Sequence, residues 1–372
     1  LYKIEQLPLE YSSFQLLGSI AMTLTKSTFK VLNALRDEAV HTQRHIATAT
    51  GLSLGTVNTA YRALVDAGLA ENFSVTPAGF EALSPYKVDN AIIMAAGLSS
   101  RFAPLSYEKP KGVLTVRGEV LIERQIRQLR EAGITDITVV VGYMKEAFFY
   151  LEYKFGVTIR VNAEYSVRNN NSTLMLVREK LGNTYVCSSD DYFTENVFEP
   201  YVFEAYYPGV FFAGETNEYL LDTARDGRIT GVTIGGRDKY DMLGHVYFDR
   251  AFSETFVRIL VDEYDRPETA GKLWEDIYRA HLDELRMVMR PYEPGVIFEF
   301  DSISDLKEFD HDFIENVDSA ILDNICRVLD CSRGDVEGIA IQRVHVLHVH
   351  EVGLRDVVQV AEQVAAGVAD TA

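Results

Sequence analysis

The sequence predicts an α/β protein, a mostly parallel sheet with helices on both faces, preceded by a small helix-turn-helix unit with a wing. Three observations lead there. Short apolar runs alternate with amphipathic stretches from Asn90 to Asp191, two helical patterns meet at a glycine near residue 51, and the composition is that of an ordinary globular chain, 47% hydrophobic and 24% charged. The 372 residues suffice for two or three domains at roughly 150 residues each.

The front unit comes first. "TKSTFKVLNALRD" sets Phe29, Val31, Leu32 and Leu35 at helical spacing behind Thr25 as a cap. "TQRHIATATGLSLGTVNTAYRALVDAGL" reads as a helix, a turn at Gly51, and a second helix opened by Ser53 and carrying Val57, Tyr61, Leu64 and Val65. "AENFSVTPAGFEAL" adds a short strand and turn, which makes 22–88 a winged helix-turn-helix domain. Residues 1–21 are unassigned, and Met22 reads as a natural start.

The alternating part follows. "NAIIMAAG" is a buried strand, "VLIERQIRQLREAG" a helix with Ile122, Ile126 and Leu129 on one face and Gly133 at its stop, and "DITVVVGY" a strand. "KEAFFYLEYKFG" and "NSTLMLVREKLG" read as helices, "VTIRVN" and "TYVCSSDD" as strands. Ligands in such sheets bind beyond the carboxyl ends of the strands, where Gly97 to Arg101, Gly142 and Asp190 fall. This domain spans 89–312, and 313–372 is a helical tail.

A net charge of −19 disfavours non-specific binding to nucleic acid or an anionic membrane, so a polyanion needs a local cluster of cations. No apolar run approaches the roughly 20 residues of a membrane span, and the first residues make a poor signal peptide. Cys187, Cys326 and Cys331 have neither zinc spacing nor a disulfide framework. A cytoplasmic protein with reduced thiols is expected.

The stretch "AIIMAAGLSSRFAPLSYEKPKG" supplies such a cluster: a small-residue turn, then Arg101, Lys109 and Lys111. Small side chains let backbone N–H groups approach phosphates. "GLSSR" matches neither the dinucleotide nor the Walker pattern, and a lone turn of this kind is more often structural. The ordered series "AAGLSSRFAPL", "EKPKGVL", "LIERQI", "VVVGYMKEAF", "NNNSTLMLV", "SSDDYF", "GETNEYL", "MLGHVYFDR", "LWEDIY" and "FEFDSISDL" changes that. From about Asn90 to Asp310 the chain resembles nucleotidyltransferases of the sugar-1-phosphate type, especially bacterial choline-phosphate cytidylyltransferases. The resemblance implies a Rossmann-like, GT-A-like mixed sheet. It implies a triphosphate held by Ala95, Ala96, Gly97, Leu98, Ser99 and Arg101, with Lys111 at the α-phosphate and Gly142, Asn171 and Ser189 completing the nucleotide site. It also implies Mg²⁺ on Asp190 and Asp301, with Arg101, Lys111 and Asp190 catalytic.

The residue types suit those roles. Magnesium takes oxygen ligands, often one or two carboxylates plus substrate phosphates. Asp191 competes with Asp190, since alternation along a strand puts the two on opposite faces. Asp301 also reads as a helix cap before Ser-Asp-Leu. Where relatives often carry an acid two residues before the metal ligand, this chain has Ser188. The implied reaction is attack of phosphocholine on the α-phosphorus of CTP, giving CDP-choline and pyrophosphate. A phosphate nucleophile is already ionised near pH 7, so positioning and charge neutralisation carry the catalysis.

The resemblance also implies an aromatic box for a quaternary ammonium at Tyr219, Trp274 and Glu275 or Asp276, with Tyr247 a weaker candidate. An isolated Tyr or Trp is otherwise more often core. Asn171 reads equally as a turn or cap, and His245 as a core polar residue or a group behind the site. Another small phosphate, a phosphonate or a sugar 1-phosphate is the alternative acceptor. A transcriptional regulator sensing CTP or phosphocholine is the alternative of another class. In the winged helix basic and acidic residues balance, and its second helix has only Arg62, so DNA binding is not its favoured role; regulation of the enzyme or a homodimer contact are the alternatives. "ILDNICRVLDCSRGDVEGI" resembles the lead-in to a choline-kinase-like domain, and no kinase activity is expected. "HVLHVH" suggests a metal site at His345, His348 and His350, but alternation aligns only two of them.

Overall fold

The computed structural model describes residues 23–335 and the short strands Ala340–Gln342 and Val346–His348. The segment 1–21, the histidine triplet and the end of the tail lie outside the described residues and side chains. The chain divides into two compact units, Leu1–Pro85 and Tyr86–Ala372.

The first unit holds α1 (Lys26–Ala34), α2 (Gln43–Thr50), α3 (Leu54–Asp66) and the two-stranded wing β1 (Ala70–Glu71) and β2 (Ser74–Val75). The caps are those the sequence offers: Thr25, Thr42 and Ser53 each accept from a backbone N–H of the first turn. Gly51 ends α2 at φ 68°, the left-handed position a glycine tolerates. The wing turns at Asn72 and Phe73, both with positive φ, and Phe73 is held there by stacking on Tyr61 at 4.7 Å between centroids. Beyond the wing the expected turn is a helix, α4 (Pro77–Leu83), capped by Thr76 with proline in its first turn.

The second unit is built on a mixed sheet. Its strands are β3 (Asn90–Ala95), β6 (Ile137–Val141), β7 (Thr158–Val161), β8 (Thr184–Ser188), β10 (Tyr206–Thr223), β11 (Ile229–Met242) and β12 (Val246–Phe248), in the order β11-β10-β12-β8-β3-β6-β7. β3 pairs parallel with β6 and β8, and β6 with β7, while β8, β12, β10 and β11 pair antiparallel in succession. β13 (Val288–Tyr292) adds in parallel to β10. Off the sheet, β4 (Thr115–Val116) pairs with β5 (Glu119–Val120), and β9 (Asp191–Phe193) with β14 (Ile297–Glu299).

Alternation along β8 divides the core. Tyr185 and Cys187 face one layer, with Ile122, Ile126 and Leu129 of α5 (Leu121–Glu131) and Phe148 and Leu151 from the residues around α6 (Tyr150–Phe155). Val186 faces the other, with Leu174 of α7 (Asn171–Leu176), Phe252 and Phe256 of α8 (Arg250–Glu263), and Trp274 and Ile277 of α9 (Trp274–Ala280). The long β10 and β11 hairpin was not anticipated, and the helix expected from Asn171 to Gly182 is cut to α7 and one 3₁₀ turn. Residues 313–331 are not a separate tail. Phe313 and Ile314 of α11 (Phe313–Asn316) and Leu322 and Ile325 of α12 (Ala320–Leu329) pack with Phe102, Leu114, Tyr192 and Phe300, behind α10 (Ile303–Phe309). All three cysteines are free, and no described helix is long and apolar enough to cross a membrane.

Ile126 is fully buried between α5 and the sheet, so Ile126→Ala removes apolar contact and leaves a cavity. Urea denaturation of this variant is expected to show a stability loss of about 2–5 kcal/mol.

Candidate active site

A cleft opens at the carboxyl ends of β3 and β8, where a parallel sheet leaves its backbone ends for a ligand. It has two lobes that share Met94, Gly97, Ser99, Lys111, Asn169 and Asn170. Ala95, Ala96 and Ser189 line the narrower lobe; Leu98, Arg101, Asp190, Tyr219, Trp274, Glu275 and Asp301 line the wider one. A Cβ added at Gly97 would meet no protein atom within 4 Å, so the missing side chain opens space to the cleft alone. Ser99 adopts φ 52°, turning the chain so that its hydroxyl accepts from the Lys111 N–H at 3.4 Å.

Lys111 reaches the cleft floor because the next residue is glycine. A Cβ on Gly112 would lie 2.8 Å from the Ser189 Cβ, and only its absence lets the two turns touch. The Lys111 ammonium there pairs with the buried Asp190 carboxylate, which also accepts from the Ser188 hydroxyl. Ser188 thus stands where an acid was expected and serves Asp190 as a donor.

Carboxylates converge on this point. Asp190 sits in the turn between β8 and β9, not on a strand, so alternation does not separate it from Asp191. Oxygens of Asp190, Asp191 and Glu299 lie within 4.8 Å of one another, and Asp191 faces Glu299 directly across the β9 and β14 pair. Glu299 was missed by sequence reasoning, although "FEFDS" alternates apolar and acidic residues and sets Glu299 on the face of Asp301. Asp301 is not the helix cap: Ser302 caps α10, and the Asp301 carboxylate takes Arg101 at 2.6 Å. Nor is Asp301 one of the three clustered acids.

Burial, then the neighbouring acids, pushes Asp191 and Glu299 well above the ordinary carboxylate range. Asp301 is raised by burial, against the pull of Arg101 and Lys111. Burial draws Lys111 down, but Asp190, Glu299 and Asp301 more than reverse it, and it stays a cation. Asp191 Oδ1 is buried without a hydrogen-bond partner. The pocket therefore gathers more carboxyl groups than Lys111 and Arg101 pair with, in hard oxygen donors that suit a divalent cation.

The wider lobe ends at α9. Glu275 has its pKa pushed up to about 7 by burial, despite the hydrogen bond from Asn170 Nδ2 at 3.2 Å. Tyr219 donates to Asp276 at 3.1 Å, and burial raises its phenol to about 12. Trp274 borders the lobe but is 1% exposed, stacked on Tyr207 and edge-on to Phe248. Three expected site residues lie off the lining. Tyr247 is in the core, stacked near Tyr206, because its strand turns that side chain away from the cleft. Asn171 is fully buried and donates to the Thr269 and Lys272 carbonyls, binding a loop instead of a ligand. Gly142 is glycine because a Cβ would lie 2.7 Å from Tyr165 and 2.8 Å from the Ala96 carbonyl. His245 is a core residue: its Nε2 meets the Tyr206 hydroxyl at 2.8 Å, and burial lowers its pKa to about 3.

Comparison with known proteins agrees with this geometry. Residues 91–187 match the MobA-like NTP transferase domain. A 2-aminoethylphosphonate cytidylyltransferase of Lancefieldella rimae is 37% identical over 229 residues, 60% of this chain and 93% of that protein. The chain belongs to the nucleotidyltransferase family. The transferase is also 33% identical to the choline-phosphate cytidylyltransferase of Streptococcus pneumoniae, over 59% of this chain and 96% of that one. The solved structure of CTP:phosphocholine cytidylyltransferase from that organism superposes with a TM-score of 0.58, covering 60% of the transferase chain and 97% of its own. Residues 24–71 match a winged helix-turn-helix DNA-binding model.

Removing the Lys111 ammonium leaves Asp190 buried without its cation and takes one fixed positive charge from the cleft. Lys111→Ala is expected to lower turnover at least 100-fold, about 3 kcal/mol. A loss below tenfold in steady-state kinetics excludes a role for Lys111 in charge stabilisation.

Proposed function

We propose that the transferase joins the CMP moiety of CTP to a small acceptor with a phosphate or phosphonate at one end and an ammonium at the other, releasing pyrophosphate. The observation that carries this reading is the Lys111 and Asp190 pair at the junction of the two lobes, beneath a small-residue turn and opposite a carboxylate-lined wall. Similarity to two proteins named as cytidylyltransferases supports CTP as the donor.

In this mechanism the turn from Ala95 to Ser99 wraps the triphosphate with backbone N–H groups, and Arg101 and Lys111 balance its charge. The acceptor's ionised oxygen attacks the α-phosphorus, the bond from that phosphorus to the α,β-bridging oxygen breaks, and pyrophosphate leaves with its electron pair. No side chain removes a proton. The acids bordering the cleft, Asp190, Glu299 and Asp301, would hold Mg²⁺, with Asp191 behind them. The ion would neutralise phosphate charge as it develops.

The head group follows from the wall of the wider lobe. A quaternary ammonium is held by aromatic faces, whereas a primary ammonium also donates hydrogen bonds. With Tyr247 in the core and Trp274 nearly covered, Tyr165, Tyr207 and Tyr219 are the tyrosines that border the lobe, alongside the carboxylates of Glu218 and Glu275. This set favours a primary ammonium, as in 2-aminoethylphosphonate, over phosphocholine.

Pyrophosphate release measured for CTP, UTP, dTTP and ATP against 2-aminoethylphosphonate, phosphocholine and glucose 1-phosphate tests both parts. CTP with 2-aminoethylphosphonate is expected to be fastest. Preference for phosphocholine would restore an aromatic box as the deciding feature, and silence across all combinations would overturn transfer itself. Independently, Mg²⁺ at 100 times its dissociation constant is expected to stabilise the fold by about 2.7 kcal/mol in thermal melts, and Asp190→Asn to lose most of that gain.

A further inference from the structure

Asn169, Asn170 and Asn171 stitch the segment that borders the narrower lobe to the loop that walls the wider one. Asn169 donates from its backbone to Ala270 O at 2.9 Å and from its side chain to Gly271 O at 3.2 Å. Asn171 holds the Thr269 carbonyl at 2.9 Å. Asn170 bonds to a carboxylate that faces the cleft. Its Oδ1 accepts the Trp274 N–H at 2.7 Å, the first free donor of α9, while its Nδ2 donates to Glu275 Oε2 at 3.2 Å. The amide thus fixes both where α9 begins and where the next carboxylate points.

We infer that Asn170 is a positioning residue that aims the Glu275 carboxylate at the acceptor's ammonium. The inference rests on the proposed acceptor class. Chemistry favours an amide here. A neutral donor aimed at a carboxylate stabilises its charged form, whereas a lysine would neutralise the group and compete with the substrate. The Glu275 backbone N–H and the Trp274 indole also donate to this carboxylate, but Asn170 is the donor that reaches it from another element while fixing the start of α9. Asp276 follows Glu275 on α9 and is engaged by Arg279 at 3.3 Å; Tyr207 and Tyr219 face it from β10; Glu218 and Arg168 border the same lobe. Arg168 is committed to the Tyr264 carbonyl at 2.8 Å. Burial raises Glu275 towards neutrality at physiological pH and the Asn170 hydrogen bond opposes it, so the loss of that bond moves ionisation to higher pH.

Two variants separate positioning from folding. Asn170→Ala removes both bonds. Asn170→Asp keeps an acceptor for the Trp274 N–H, and so the start of α9, but replaces the donor to Glu275. KM for CTP and for 2-aminoethylphosphonate is measured from pH 6 to 9 for the full chain and both variants, with Glu275→Gln as the comparison. The acceptor's own ionisation is common to all four proteins and cancels between them. In the unaltered protein KM for the acceptor is expected to fall as pH rises through Glu275 ionisation. Both Asn170 variants should raise that KM at least tenfold at pH 7, move its fall to higher pH, and change KM for CTP less than twofold. Glu275→Gln should raise it with no fall attributable to this group. Equal effects on both substrates, or an unmoved pH profile, would overturn the positioning role while leaving cytidylyl transfer intact. Absence of turnover by the unaltered protein with every ammonium-bearing acceptor would instead remove the functional reading and this inference with it.

Discussion

Too many carboxyl groups in too small a buried space organise the catalytic unit. Asp190, Asp191 and Glu299 meet where β9 pairs with β14, with Asp301 beside them. Like charges directly opposite on paired strands repel, and a dry environment magnifies it. Lys111 and Arg101 hold the arrangement together, each brought in by a turn of the first strand's loop. The backbone beneath is equally constrained. Gln125 is fully buried and donates to the Ser188 and Asp191 carbonyls at 2.7 and 2.8 Å, so the core helix α5 grips both ends of the turn that carries Asp190.

That constraint explains small residues that would otherwise look interchangeable. Gly112 brings Lys111 down, Gly142 lets Tyr165 close over Ala96, and Gly97 leaves its side-chain space open. Of the three, Gly97 is the one whose side-chain space meets no protein atom. A glycine-rich sequence near a phosphate site therefore mixes positions kept free for the substrate with positions kept free for the protein, and sequence spacing does not tell them apart.

Elements with a strong local signal were legible. Caps at Thr25 and Ser53, the left-handed Gly51, and the apolar face of α5 all express interactions within a few residues. The ordered motifs likewise located Lys111, Asp190 and Asp301 on one cleft. The failures were long-range. Whether Asp190 and Asp191 diverge depended on β8 ending at Ser188, and whether Tyr247 reaches a ligand depended on which layer β12 turns it toward. The β10 and β11 hairpin had a cue in Asp226 and Gly227, where Gly227 adopts φ 85°, but its irregular register disrupts the simple alternation by which a strand is recognised. Glu299 becomes informative only when β14 is known to lie against β9.

The Lys111 segment is also held from outside the motifs. Glu108 accepts from the Ser319 hydroxyl and from the Ile321 N–H at 3.0 Å, and Lys109 reaches Asp318 at 3.3 Å, so the loop that delivers Lys111 is buttressed by the start of α12. A fragment ended at Asp310, after the last of the ordered motifs, would uncover Phe102, Leu114 and Phe300 and release that buttress. The smallest autonomous catalytic piece therefore extends through α12, and a fusion partner or purification tag belongs beyond it.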